Sequence, residues 1–549
     1  MAQHPNPVLL YHPDGYRVAR QDLKGRHSAG EAFLTAFLEQ AKDADIYGLC
    51  LEKGGAEHFA ETIKAFGRGL KPNPVSRTDI GILRKQAVLN LPVPGIAEEA
   101  RTRSFLGDRA YALCGVTHTI CSRVALDSVA DIPVAPVMPW DALICTSQAV
   151  QVAVSGVLAA TEEDLRERIG ATTFTRPMLS IIPLGVHTKR FTRKEVARAR
   201  WRKELGIADD AVAILFFGRL SVHGKAAPFQ LAQAAQAAAE MSRKPLVIIW
   251  CGYFHDDFQR RVFMDTAKSM APQVPFHHVD GREADARFSI WAAADIFCSL
   301  SDNIQESFGL TVIEAMAAEL PVVVSNWNGY RAAVEHGKNG IMIDSYMPQA
   351  SLAETAYRYI SGVDTYDLYI AAVSQLCFVD VGEAARWLAR LAGDEALRNA
   401  LAAAARKTVE TSFDWAMLMP RYADLWREQI ERVTHARERA EGSSKTCSIH
   451  DPANTFAGYP SHRLTGDARL DLGPHFKRWN ELVQLPGIVV NASALTGDTQ
   501  YRAIQKIFAE DDSQTIDTVL TRFADTDKPA VLRTLHWLIK VGLLRMAAR

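Results

Sequence analysis

The chain lacks paired cysteines, an excess of either charge, and any long uncharged apolar run. Its eight cysteines, Cys50, Cys114, Cys121, Cys145, Cys251, Cys298, Cys377 and Cys447, are scattered, and none forms a C-x2-C pair. Most sit in apolar, strand-like runs, so buried reduced thiols are expected rather than a zinc site or a disulfide framework. Across 549 residues the formal net charge is −1. That balance gives neither the basic footprint of a nucleic-acid binder nor the acidic excess of a solvating tail, and no nucleic-acid partner is expected. No uncharged apolar stretch reaches the length of a membrane span. The opening MAQHPNPVLL has no basic region followed by an apolar core. A cytoplasmic chain is expected, with peripheral contact at the inner face of a membrane left open. Repeats of solenoid period are absent too.

What is present is alternation. Short apolar runs alternate with longer helical patterns: PVLLYH (7–12), DIYGLCL (45–51), YALCGVTHTI (111–120), DALICTS (141–147) and SIIPLGV (180–186) read as buried strands. Between them, EAFLTAFLEQAKDA (31–44) and the stretch after Ser147 read as helices. The pattern resumes with VAILFFG (212–218), PLVIIWCG (245–252), DIFCSL (295–300) and LPVVVS (320–325). Continuous apolar strands separated by amphipathic helices predict parallel sheets covered on both faces. The polar segment HTKRFTRKEVARARWRKELGIADD separates the two sets. The fold class is therefore α/β, with two doubly wound domains, 1–186 and 187–434, facing each other across a cleft where ligands bind.

Residues 365–434 are strongly helical, and the charged HARERAEGSSKT (435–446) reads as a linker. Residues 447–549 differ in texture, with Pro- and Gly-marked turns and a helical end. They fit a small, mostly helical accessory domain, winged-helix-like in pattern. Its last helix offers few basic residues, Arg533 and Lys540. Docking to a protein partner or self-association is expected of it rather than DNA binding.

Four stretches carry chemistry. In ESFGLTVIEAMAAELPVVVS, beginning at Glu306, one carboxylate stands in a turn and a second, Glu314, about one turn inside an apolar helix. A carboxylate among Val312, Ile313, Ala315 and Met316 is costly unless it accepts hydrogen bonds. A ribose diol supplies two hydroxyl donors for one carboxylate. Gly309 permits a tight turn, and the amides of Ser307, Phe308, Gly309 and Leu310 form a helix N-terminus suited to phosphate. The simpler alternative is that Glu306 caps the helix and Glu314 pairs with a cation. In FFGRLSVHGKAAP (216–228), Arg219 and Lys225 follow a strand end, where two cations can neutralise a diphosphate; two solvated surface charges are the alternative. KGRHSAGEAFLTAF (24–37), with His27 and Gly30, reads as a polar loop opening a helix, a weak signal for a sugar or anion cradle. His118 ends the strand-like GVTHTICS (115–122) and would face the cleft, although a strand-end histidine is often structural.

Together these stretches resemble the retaining GT-B glycosyltransferases, in particular glycosyltransferase family 4, also called group 1. The resemblance runs in order over about residues 5–435 and is carried by the E-x7-E segment, by IIPLGVHTKRF (181–191), by the Arg219–Lys225 stretch, by WAAADIFCSLSDN (291–303) and by FDWAMLMPRYADLW (413–426). It implies a hexosyl-type transferase using a nucleoside-diphosphate sugar, UDP- or GDP-linked, to extend a polysaccharide, glycolipid or small-molecule acceptor. By the same resemblance Glu314 would hold the ribose and Glu306 the transferred sugar. Arg219 and Lys225 would hold the diphosphate, Arg282 would lie in the loop beside the base, and His118 would stand near sugar and acceptor. Gly30 and His27 would belong to the loop over the reacting centre. Retention in this family is described as same-face displacement assisted by the leaving phosphate, which fits the lack of an obvious nucleophile, of a D-x-D-like metal site and of any cofactor. Glu319 stands where the family usually has glycine, at the turn into the next strand, His187 where it has aspartate, and Arg331 where an acidic residue is common; Arg331 leaves donor and acceptor preference open. A non-catalytic nucleotide-sugar-binding or scaffold module is the alternative function.

Overall fold

The computed structural model describes residues 6–16, 25–41, 43–192, 194–225, 227–438, 451–483, 485, 488 and 491–547; the side chains of 25–27 and 493 lie outside the description. The chain divides into two compact units, Met1–Cys447 and Ser448–Arg549.

The first unit holds two parallel sheets. In the first, β1 (Val8–Tyr11), β2 (Asp45–Cys50), β3 (Lys71–Val75), β4 (Val88–Asn90), β5 (Ala112–Val116), β6 (Ala142–Cys145) and β7 (Met178–Ile181) run in the order β3-β2-β1-β4-β5-β6-β7. In the second, β8 (Val212–Phe217), β9 (Leu246–Gly252), β10 (Phe276–Asp280), β11 (Ile296–Ser299), β12 (Val322–Ser325) and β13 (Ile341–Ile343) run β10-β9-β8-β11-β12-β13. Every pairing within these two sheets is parallel. The strands β8, β9, β11 and β12 are buried along their whole length, which is why they read as uninterrupted apolar runs. Strand order reverses between β1 and β4 in the first sheet and between β8 and β11 in the second. At such a reversal the flanking connections leave toward opposite faces and a crevice opens beyond the strand ends. Both sites described below lie at these reversals.

Several elements depart from the sequence reading. The strand expected over 180–186 ends at Ile181, because Pro183 and Gly185 carry the chain out of the sheet toward the second domain. β3, with the sequence KPNPV, gave no strand signal; it lies at the sheet edge, where proline is tolerated. The expected linker 435–446 begins inside a helix, since Trp415–Glu438 continues unbroken to Glu438. The remainder of that segment lies outside the described residues.

The helix Trp415–Glu438 lies across the first domain. Trp415, Leu418, Tyr422, Trp426 and Val433 pack into the same core as Leu9, Phe33, Phe37 and Ile144. Gln429, fully buried, donates to the carbonyls of Leu113 and Trp140 at 2.8 and 3.0 Å. The second domain's last helix is thus part of the first domain's hydrophobic core. A buried ion pair, Arg103 with Asp141 at 2.6 Å, ties the carboxylate to the amides of Leu113 and Met138.

In the second unit, Arg469–Leu472 is the middle strand between Ser513–Thr515 and Leu544–Met546, both antiparallel to it. The helices Asp498–Glu510, Ile516–Leu520 and Lys528–Lys540 close over it, with Trp479, Phe508, Leu535 and Leu538 in the core.

Candidate functional site

At the reversal of the second sheet, the connection after β8 meets the connection after β11. Asn303 joins them: its side-chain amide donates to the carbonyl of His223, and its Oδ1 accepts from the amide of Gln305 at 2.8 Å. The Arg219 guanidinium donates to Gln305 Oε1 at 2.6 Å and to the carbonyl of Gly224 at 3.3 Å. Lys225 Nζ lies 2.7 Å from Glu306 Oε2, the lysine one-third exposed and the glutamate side chain 8% exposed. The two residue types expected to share a ligand therefore touch each other, and both cations stand beside the same turn.

That turn is held from below. Gly309 has φ +89°, and a Cβ there would lie 2.1 Å from the ring of Tyr330, so the position takes only glycine. Asn328 donates to the carbonyl of Glu306, and Tyr330 OH lies 2.9 Å from Ser299 Oγ. The helix Leu310–Ala317 then starts directly after this glycine, with the amide of Val312 donating to the carbonyl of Gly309 at 3.0 Å. Phe308 is buried, 6.1 Å from the ring of Phe413. Ser307 reaches into the first domain: its hydroxyl donates to the carbonyl of His118, and its own carbonyl accepts from Ser147 Oγ at 3.1 Å. Ser147 also caps the helix Gln148–Ile169.

Glu314 is buried in the helix and lines a pocket of about 360 Å³ with Leu310, Ser28, Glu31, His187 and Arg287. Burial pushes its carboxyl up to about 7, with Arg287 pulling in the opposite direction. An anion so close to neutrality is one that hydroxyl donors can readily stabilise. Arg282 is forked onto Asp280 at 2.6 Å and lies 5.5 Å from the ring of Tyr253, and it does not line the Glu314 pocket.

Gly30 is a correction. The helix begins at Gly25, so Gly30 lies within it rather than in a loop. Its Cβ would fall 1.9 Å from the carbonyl oxygen of Gly15, so this glycine allows two backbones to touch. His27 belongs to the same helix, and its side chain lies outside the described residues. Gly30 and His118 line a second pocket, of about 380 Å³, at the reversal of the first sheet, together with Asn90, Phe33, Trp415 and Tyr422.

Three residues escaped sequence reasoning. Gln305 links Arg219 to Tyr366, whose hydroxyl lies 2.9 Å from Gln305 Nε2 and 3.1 Å from Cys121 Sγ. Asn303 knits the two loops. Arg287 faces Glu31 and Glu314; its only signal was a lone cation just ahead of the apolar WAAAD run. Among the described residues no group of three or more His, Cys, Asp or Glu side chains gathers as a metal site, and no helix is long and apolar enough to cross a membrane.

Residues 197–367 match the family described as glycosyl transferases group 1. Two similar proteins are D-inositol 3-phosphate glycosyltransferases. That of Corynebacterium jeikeium is 28% identical over 215 residues, which are 38% of this chain and 50% of the relative. That of Corynebacterium urealyticum is 32% identical over 177 residues, 31% of this chain and 41% of the relative. The chain thus spans about half the length of the curated relatives it matches. Among solved structures, Anabaena Alr3699/HepE in complex with UDP superposes with a TM-score of 0.50 at 16% identity, over 76% of this chain and 99% of that one. The two-sheet fold is GT-B, and the segment carrying Arg219, Lys225, Glu306 and Glu314 lies within the stretch that matches the group 1 glycosyl transferase family.

Proposed function

We propose that a chain with this fold and this segment is a retaining glycosyltransferase, moving a sugar from a nucleoside-diphosphate sugar to the hydroxyl of a glycan, lipid-linked or small-molecule acceptor. The reading is carried by the contact of Lys225 with Glu306 at 2.7 Å, set at the sheet reversal beside Arg219. Glu314 stands eight positions on and faces the adjoining pocket.

In this reading the diphosphate lies against Arg219, Lys225 and the first amides of the helix Leu310–Ala317. The ribose hydroxyls donate to Glu314, and the sugar hydroxyls donate to Glu306. The acceptor oxygen bonds to the anomeric carbon on the face from which the diphosphate departs. The bond from that carbon to the phosphate oxygen breaks, its electron pair leaves with the diphosphate, and the acceptor proton passes to the departing phosphate. Two cations fixed before the reaction stabilise that growing charge without reorganising, which is the work a metal does in other transferases. UDP-sugars are the first donors to test, because the Anabaena protein holds UDP, with GDP-sugars second.

The test is nucleotide release from UDP- and GDP-sugars, with and without chelator, by the wild type and by Glu306→Ala and Lys225→Ala. Loss of a charged group aimed at the leaving phosphate lowers turnover by about 100-fold or more. Turnover that survives Glu306→Ala would overturn the catalytic role, and nucleotide binding without turnover would favour a binding or scaffold module. For the C-terminal unit, which leaves Tyr459 83% exposed, we propose association with a protein partner or a second copy. A truncation after Glu438 with the same number of copies per particle in solution and unchanged activity would contradict it.

A further inference from the structure

We propose that Gln305 and Tyr366 are positioning residues for the diphosphate: they fix the direction in which the Arg219 guanidinium faces and act on the nucleotide through that cation. The proposal rests on the glycosyltransferase reading and names the residues through which its cation works.

Arginine only donates hydrogen bonds. The Gln305 atom 2.6 Å from Arg219 Nη2 is accordingly the amide oxygen, Oε1. That orientation turns Nε2 toward the Tyr366 hydroxyl at 2.9 Å, so the phenol oxygen accepts there. The phenol's own O–H is left for Cys121 Sγ at 3.1 Å. The donors therefore run in one sense, from Arg219 to Gln305 to Tyr366 to Cys121. Burial raises both the phenol and the thiol, so the relay is uncharged and leaves the cation's charge to a ligand. Its far end is anchored on the other domain: Cys121 follows β5, whereas Tyr366 opens the helix Tyr366–Ser374. Arg123 seats the same join, its amide donating to Tyr359 OH and its Nη1 to the carbonyl of Ile360, each at 3.1 Å.

On its other side Arg219 Nη2 donates to the carbonyl of Gly224 at 3.3 Å. Gly224 makes this approach possible, because a Cβ there would fall 2.5 Å from Nη2 and 3.1 Å from Cζ. The loop is itself pinned. Ser221 Oγ accepts from the Gly224 amide at 3.0 Å, and Asn303 donates to the carbonyl of His223. Nη2 is thus spent on the protein, while Nε and Nη1 have no protein acceptor among the described residues. An unheld arginine would lose rotamer freedom on meeting a phosphate. One already gripped by a single nitrogen keeps its other donors aimed, and it need not reorganise as charge grows on the departing diphosphate. A mere tie between domains would not require the cation at one end of the relay.

The test is a double-mutant cycle on the full chain. UDP and GDP affinities, by calorimetry, and turnover of the matching nucleotide sugars are measured for wild type, Gln305→Leu, Tyr366→Phe and Arg219→Ala. Each of the first two is also combined with Arg219→Ala. Gln305→Leu should weaken the nucleotide about tenfold and Tyr366→Phe about threefold, the range for a charged and a neutral hydrogen bond. Turnover should fall at least as far. In the Arg219→Ala background both losses should shrink to roughly twofold or less. Gly224→Ala crowds the guanidinium from the opposite side and should reproduce the Gln305→Leu pattern, so the outcome does not hang on the folding of one variant. Melting without nucleotide reports folding for each. Losses of the same size with and without Arg219 would overturn the proposal and leave Gln305 and Tyr366 as parts of the fold only. Equal nucleotide affinity in wild type and Arg219→Ala, or no binding of either nucleotide to folded wild type, would instead overturn the glycosyltransferase reading of this cation, and the proposal with it.

Discussion

Replacing Glu314 by glutamine tests whether a buried carboxylate waits for the nucleotide. Burial moves this carboxyl from 4.5 to about 7. At about 1.4 kcal/mol per unit, ionisation in the folded chain costs roughly 3 kcal/mol. The folded pKa is raised, so between 4.5 and 7 the folded chain keeps a proton that the unfolded chain has lost. Stability therefore falls as pH rises through this window and levels off above about 7. Glu314→Gln removes the dependence. Hydrogen exchange of the helix Leu310–Ala317 in wild type and variant at the same pH isolates the effect, because intrinsic exchange and all other titrations cancel. The variant should gain roughly 2–3 kcal/mol of protection over wild type between pH 5 and pH 8. Hydroxyl donors from a ribose bind the ionised form, so wild-type UDP affinity should rise by up to about tenfold per pH unit toward 7 relative to the variant. Parallel pH profiles for the two proteins, in exchange and in binding, would refute the reasoning.

Two further outcomes follow from the fold. Glu319 has φ +58° at the end of the helix Leu310–Ala317, where Leu320 N–H donates to the carbonyl of Ala315 at 3.1 Å. Glu319→Gly relieves a left-handed side-chain penalty and should add about 1 kcal/mol, seen as a rise of a few degrees in thermal midpoint; a fall would mean the glutamate makes a compensating contact. Arg103→Met strands the fully buried Asp141 carboxylate and should cost about 3–5 kcal/mol in urea unfolding followed by first-domain probes. The double change Arg103→Met with Asp141→Leu should recover most of that loss, and an equal loss in both would assign the cost to packing.

The buried strands were legible because both faces of a parallel sheet are covered, so VAILFF and LVIIWCG carry no alternation to confuse them. β3 was not, because its two prolines exclude a central strand and nothing local says that it lies at an edge. β10, FHHVD, was hidden by its histidines. Arg219, Lys225, Glu306 and Glu314 stood out because a cation pair and spaced carboxylates are costly beside apolar strand ends and helices. The contacts that connect them were not legible. Gln305 and Asn303 act through partners some 80 residues away in sequence, and Arg287 acts across the cleft from Glu31. Gly30 was misplaced because glycine signals backbone freedom and close approach equally; here it is the approach to Gly15 that decides. His118 meets the glutamate turn through its carbonyl, which no residue type encodes.

The central claim is that Arg219, Lys225 and Glu314 form a nucleotide-diphosphate site. It is tested most directly by thermal stabilisation with UDP, GDP and ADP, without added metal, in wild type, Lys225→Ala and Glu314→Ala. A rise in midpoint is expected with one of these nucleotides, with at least a tenfold weaker affinity in each variant, the loss expected of a charged hydrogen bond at roughly 1.5–3 kcal/mol. A nucleotide that stabilises wild type and both variants equally, or no stabilisation of folded wild type by any of the three, would contradict it.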